Sequence, residues 1–206
     1  IHLQYSQLVR MDVEMGAFLL VAFWFCLNIC DRGAWRDYVL SGTFTGIAVV
    51  TKYTAAGFGL TIALAHVLGR PSWPRDLLKL VAGGLACLAA AFVASPFVFI
   101  DYRTAWASIL LEARPTHLSA TGEGFLQNLG WYLGTALPES ISVVGLLLAA
   151  AGVVLCLSSR NRGRWLLVAF PLSFLLMISV LSLRWVRWVI PALPFLCILS
   201  AHAIDT

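Results

Sequence analysis

Long apolar runs, with the charges pushed to their ends, restrict what this chain can fold into. The runs fall at about 13–30, 38–52, 54–69, 77–98, 138–157, 165–183 and 188–204. A helix needs about 20 apolar residues to cross a hydrocarbon core of about 30 Å, and several of these runs have that room. Inside lipid, backbone groups must satisfy one another within the segment, which selects helices. Composition agrees, with 60% hydrophobic and 12% charged residues in 206. The expected fold is an all-α, polytopic transmembrane helix bundle of about seven spans, a single partial domain over 1–206, with an extracytoplasmic amphipathic-helix loop at 101–137.

Breakers mark the boundaries: Asp31-Arg32-Gly33, Gly69-Arg70-Pro71 with Pro74, Ser95-Pro96, Pro138 and Asn161-Arg162-Gly163. The runs 38–52 and 54–69 are short, and they read either as a tight hairpin or as one long tilted helix. The chain opens at Ile1 without a methionine and stops just after an apolar run, so an internal piece of a longer protein is expected. Residues 1–10 show no apolar leader core.

Basic residues set the orientation. Ser158-Ser159-Arg160-Asn161-Arg162-Gly163-Arg164 carries three arginines and no acid, which predicts a cytoplasmic loop. Counting back, the loops with Arg70, Arg75 and Lys79 and with Arg32 and Arg36 fall on the same side. The acids Asp12, Glu14, Asp101, Glu112, Glu123 and Glu139 then lie outside. Trp35, Trp73, Trp106, Trp131, Trp165, Trp185 and Trp188 fall near the two interfaces as an aromatic belt. Read as a hairpin, 38–69 puts Asp12, Lys52, Asp101, Arg184 and Arg187 on one side; read as a single span, it moves Asp12 to the other.

The stretch 101–137 opens on a mixed run, 102–112, that reads as an amphipathic helix at the outer interface. A loop through Pro115-Thr116-His117 and Gly122-Glu123-Gly124 follows, and 125–136 reads as a second interfacial helix. Such a segment is either a lid or a plain connector.

Each charged candidate has two readings. Asp12 is either a helix cap partnered by Arg10 or a carboxylate facing a substrate pocket. Lys52 is either a snorkelling lysine or a compact cation for a lipid phosphate, with Thr51 and Tyr53 as neighbouring donors. Arg184 and Arg187 either anchor the interface or present planar forks to a phosphate beside a helix start stiffened by Pro191 and Pro194. His117 is either solvated or a contact for a sugar hydroxyl or a metal. Gly42 and Gly46 form a Gly-xxx-Gly pair that lets another helix pack closely. The five cysteines form no C-x-x-C pair, so neither a zinc site nor a disulfide framework is expected. No Gly-rich phosphate loop, serine nucleophile elbow or nucleic-acid surface is visible.

Several phrases occur together in order: Tyr5-Ser6, Arg10-Met11-Asp12-Val13, Ser41-Gly42 to Gly46-Ile47-Ala48, and Thr51-Lys52-Tyr53-Thr54. Further on come Ser95-Pro96-Phe97 with Asp101-Tyr102, and Arg187-Trp188-Val189-Ile190-Pro191-Ala192-Leu193-Pro194. On these phrases the chain resembles the GT-C class of polytopic membrane glycosyltransferases, in particular the bacterial relatives of protein O-mannosyltransferases and the lipid A aminoarabinose transferases. The resemblance implies transfer of a sugar from a polyprenyl-phosphate donor to an acceptor lipid, glycan or protein at the extracytoplasmic face of the inner membrane. It implies a principal acidic residue upstream of Ile1, a supporting role for Asp12, and lipid-phosphate binding by Lys52 and Arg187, with Arg184 beside them. Asp101, His117 and Tyr53 are the expected acceptor or loop contacts. No cofactor is demanded, and a divalent metal is compatible with the scheme. The rival classes are a transporter or flippase for a lipid-linked or anionic solute, and a noncatalytic membrane scaffold.

Overall fold

A computed structural model describes residues 11–69, 75–112, 116–117, 120–159 and 161–205. Tyr5, Ser6, Arg10, Arg70, Pro115 and Arg160 lie outside the described residues. The described chain is an all-α bundle. It opens with α1 (Met11–Asp31) and α2 (Trp35–Thr51). A tight 3-10 segment (Tyr53–Phe58) then leads into α3 (Gly59–Leu68). α4 (Arg75–Ala94), the single turn α5 (Phe97–Ile100) and α6 (Tyr102–Glu112) follow. The second half holds α7 (Phe125–Trp131), α8 (Leu137–Ser158), α9 (Arg162–Ser179), a 3-10 segment (Val186–Ala192) and α10 (Leu193–Ile204).

Five helical stretches are long and apolar enough to cross a membrane: Met11–Asp31, Asp76–Ala94, Phe125–Ser158, Arg162–Ser179 and Val186–Ile204. The chain is a multi-pass membrane protein. The remaining expected spans, 38–52 and 54–69, are the shorter helices on either side of Lys52. They form a hairpin and not a single tilted helix. Tyr38, near the start of α2, places its hydroxyl 2.8 Å from Nδ1 of His66, near the end of α3. Cys30, at the end of α1, brings its thiol within 3.5 Å of the Ala65 carbonyl oxygen. The break is local: Lys52 adopts extended backbone (φ −156°, ψ 122°), which no helix can contain.

Small residues set the helix spacing. A methyl group added at Gly42 would overlap the Gly83 carbonyl, and one at Gly46 the Cys87 carbonyl. Both contacts advance four residues together, so α2 and α4 run parallel at backbone contact, as small-xxx-small pairs permit. The aromatic core lies beside this pair. Phe195 sits 4.8 Å from Phe23 and 4.5 Å from Phe170, and Phe170 sits 5.2 Å from Phe58, which ties α1, α9, α10 and the first 3-10 segment together.

One boundary differs from expectation. The stretch 125–136 is helical and continues past Pro138 as far as Ser142. Pro138 reads as a breaker because it lacks an N–H and its ring crowds the carbonyl four residues back. The wider π-helical turn Tyr132–Ala136, just before it, accommodates that loss. The real discontinuity comes later, at Ser142 (φ 66°, ψ 163°), whose hydroxyl accepts the Gly145 N–H at 3.2 Å and caps the helix beyond.

Candidate functional site

α1 starts, and α2 ends, at one end of the bundle, and there the hairpin brings Asp12 and Lys52 together. Asp12 occupies the first turn of α1 and is only 3% exposed. Its Oδ1 accepts the Lys52 ammonium, and its Oδ2 lies 3.8 Å from Nε of Arg187. Asp12 is therefore held by tertiary partners from two other elements, and the single-span reading that would have separated it from Lys52 fails. Lys52 and Arg187 are largely shielded, with side chains 17% and 22% exposed.

The arginine comes from the 3-10 segment Val186–Ala192, which enters α10. Pro191 lies inside it, and Pro194 opens α10. Prolines remove backbone donors, so the entry to this helix is tightened and is not a regular α-turn. Pro191 packs against α1, where a methyl on Gly16 would sit 3.6 Å from its Cα. That contact seats the arginine's segment against α1, the helix that carries Asp12.

Tryptophans wall the cations. Lys52 Nζ lies 5.5 Å from the Trp188 ring centroid, and the Arg187 guanidinium carbon 4.3 Å from that of Trp185. Arg184 stacks 5.2 Å from Trp131 and reaches Glu123 Oε1 at 3.3 Å. His117 meets Trp185 edge-on, with centroids 5.0 Å apart. Among the described residues, two cations, Lys52 and Arg187, meet the one carboxylate of Asp12. In a low-dielectric setting such fixed charges act more strongly on a nearby anion than they would in water.

The structure thus gathers Asp12, Lys52 and Arg187, with Arg184 and His117 one layer out. Tyr53 follows Lys52 at the head of the 3-10 segment and is half-buried. Asp101 is not brought in: it is exposed, its Oδ1 accepts the Thr104 N–H at 3.3 Å, and among the described residues it forms no ion pair with Arg184 or Arg187. Thr51 uses its donor within α2, since its hydroxyl donates to the Ile47 carbonyl at 2.9 Å. Glu123, Trp131 and Trp188 join the site without having been marked as site residues. For Trp188 the available signal was its place directly after Arg187; Trp131 lies far from Arg184 in the sequence and carried none. Among the described residues, His, Cys, Asp and Glu side chains nowhere gather in threes to hold a metal ion.

Residues 1–100 match the family described as dolichyl-phosphate-mannose-protein mannosyltransferase. The resemblance to GT-C-type membrane glycosyltransferases holds over that part of the chain, which contains Asp12 and Lys52. No curated protein and no solved structure matches the chain.

Proposed function

From the match of residues 1–100 to the dolichyl-phosphate-mannose-protein mannosyltransferase family, we propose that this chain carries part of the donor site of a membrane glycosyltransferase. In this reading a sugar passes from a polyprenyl-phosphate donor to the hydroxyl of an acceptor lipid, glycan or protein, at the extracytoplasmic face of the inner membrane. The observation that carries it is the buried Asp12 carboxylate drawing Lys52 and Arg187 from different elements into one place.

The chemistry is a displacement at the anomeric carbon. The acceptor oxygen forms the new bond to that carbon, the bond from carbon to phosphate oxygen breaks, and the lipid phosphate leaves with the electron pair. Fixed cations stabilise the charge growing on that leaving group and need no reorganisation as it forms. Lys52 supplies a point charge and Arg187 a planar fork. Asp12 already bonds both cations, which favours a role in holding them over a role as base. The acceptor proton goes to another carboxylate, the acidic residue that the resemblance implies ahead of Ile1. The scheme requires no cofactor.

The test is transfer from labelled polyprenyl-phosphate sugars by the complete parent protein in lipid, with R187A and K52A beside the wild type. Losing one cation should lower kcat/KM roughly 100-fold in a folded variant, the order seen when one preorganised stabilising group is removed. Wild-type rates in folded R187A would refute the assignment. No transfer from any donor, with labelled lipid crossing the bilayer instead, would replace it with a flippase.

A further inference from the structure

We propose that Asn128 is the positioning residue of this site, holding the arginine-bearing connector 180–187 at the height where Arg187 meets Asp12; the proposal that the site receives a lipid phosphate rests on the reading above. Asn128 is fully buried on α7. Its Nδ2 donates to the Ser179 carbonyl at 3.2 Å and to the Leu181 carbonyl at 2.9 Å, while its Oδ1 accepts the Glu123 N–H at 3.1 Å. Both N–H bonds of the side-chain amide are thereby used. The two carbonyls lie at and just past the end of α9, where a helix leaves oxygens without intrahelical donors. One side chain therefore completes the end of α9 and binds it to the outer connection at Glu123.

The consequence reaches the site through successive contacts. With α9 stopped at Ser179, the connector runs antiparallel to residues 120–122. The Gly122 N–H donates to Ser182 O, and the Arg184 N–H donates to Ala120 O, each at 2.8 Å. That pairing fixes Arg184 against Glu123 and Trp131. Trp185 follows, and Arg187 stacks on it before reaching Asp12. Tyr132, four residues beyond Asn128 and so on the same helix face, is also fully buried. Gly122 is fitted to the arrangement, since a methyl there would strike the Asn128 amide.

The deciding measurement is hydrogen exchange of the amides in 182–187, made on the protein in lipid nanodiscs. The variants are N128D, which keeps an acceptor for Glu123 and replaces both donors with an oxygen, and G122A, which displaces the amide without deleting it. D37N is the control, because it weakens the opposite end of the bundle. Exchange in 182–187 should rise about tenfold or more in N128D and G122A and stay near wild type in D37N. If D37N raises it equally, or if neither Asn128 nor Gly122 moves it, the inference is overturned.

Farnesyl phosphate, titrated into the same samples, separates this inference from the functional reading. Where the wild type binds it, N128D should bind about tenfold more weakly, and unchanged binding would overturn the positioning role. Where the wild type does not bind it, the lipid-phosphate reading fails, and exchange at 182–187 alone decides whether Asn128 holds the connector.

Discussion

Two buried carboxylates sit at opposite ends of the α1–α2 hairpin, and each gathers two cations. At one end Asp37 pairs with Arg32, at 3.2 and 3.4 Å, and with Arg36 at 3.8 Å. Its partners lie within five residues of it, and their side chains are 48% and 66% exposed. At the other end Asp12 takes Lys52 from 40 residues along and Arg187 from near the far end of the chain. The first arrangement staples a short connection, and water solvates its cations. The second exists only once three elements have packed, and indole rings line its cations. Equal charge counts therefore do not mean equal roles. Sequence distance between partners and shielding of the cations distinguish a staple from a site.

The sharpest way to break this comparison is to remove each carboxylate. D12A should lower transfer about 100-fold, and D37A should leave kcat/KM within about threefold, as measured with labelled donor in lipid. Both should lose stability, by about 3 kcal/mol at Asp12, where stranded charges are shielded, and by less at Asp37, where water reaches the arginines. Equal losses of activity would erase the distinction. Next in size, G46L forces a side chain into the Cys87 backbone and should cost about 3 kcal/mol in thermal or denaturant unfolding, with transfer falling as Lys52 shifts. Y38F removes the hydroxyl that meets His66 and should cost about 1 kcal/mol with no change in transfer. D101A removes an exposed cap of α6 and should cost no more than about 1 kcal/mol, again with transfer unchanged. A large loss of transfer in D101A would return that carboxylate to the site.

Patterns carried by the chain itself were legible before any coordinates. The apolar runs announced a helical membrane bundle, Gly42 and Gly46 announced a close helix contact, and the topology placed Asp12, Lys52 and Arg187 at one end. The hairpin at Lys52 was ambiguous because two short apolar runs have the same composition whether the chain turns back or continues. A long-range contact, Tyr38 to His66, settles it, and no periodicity encodes that. Asp101 was grouped with the cluster because position along a helix gives height in the membrane and not position around the bundle. Asn128 escaped notice because its partners are backbone carbonyls, which every sequence possesses. Pro138 reads as a boundary because its cost is visible in the sequence, while the π turn before it is not.

The glycine contact between α2 and α4 acts as a ruler. With Gly42 and Gly46 seated against Gly83 and Cys87, neither helix can slide or turn without a collision of backbones. Lys52 follows Gly46 by six positions, so its backbone stands about 9 Å of helix rise above the clamp. Adding a single residue between Gly46 and Lys52 would lift the lysine by about 1.5 Å and swing it by about 100°. The clamp would be intact, but the lysine would point away from Asp12. In this bundle the length of chain between a packing motif and a charge is itself under constraint.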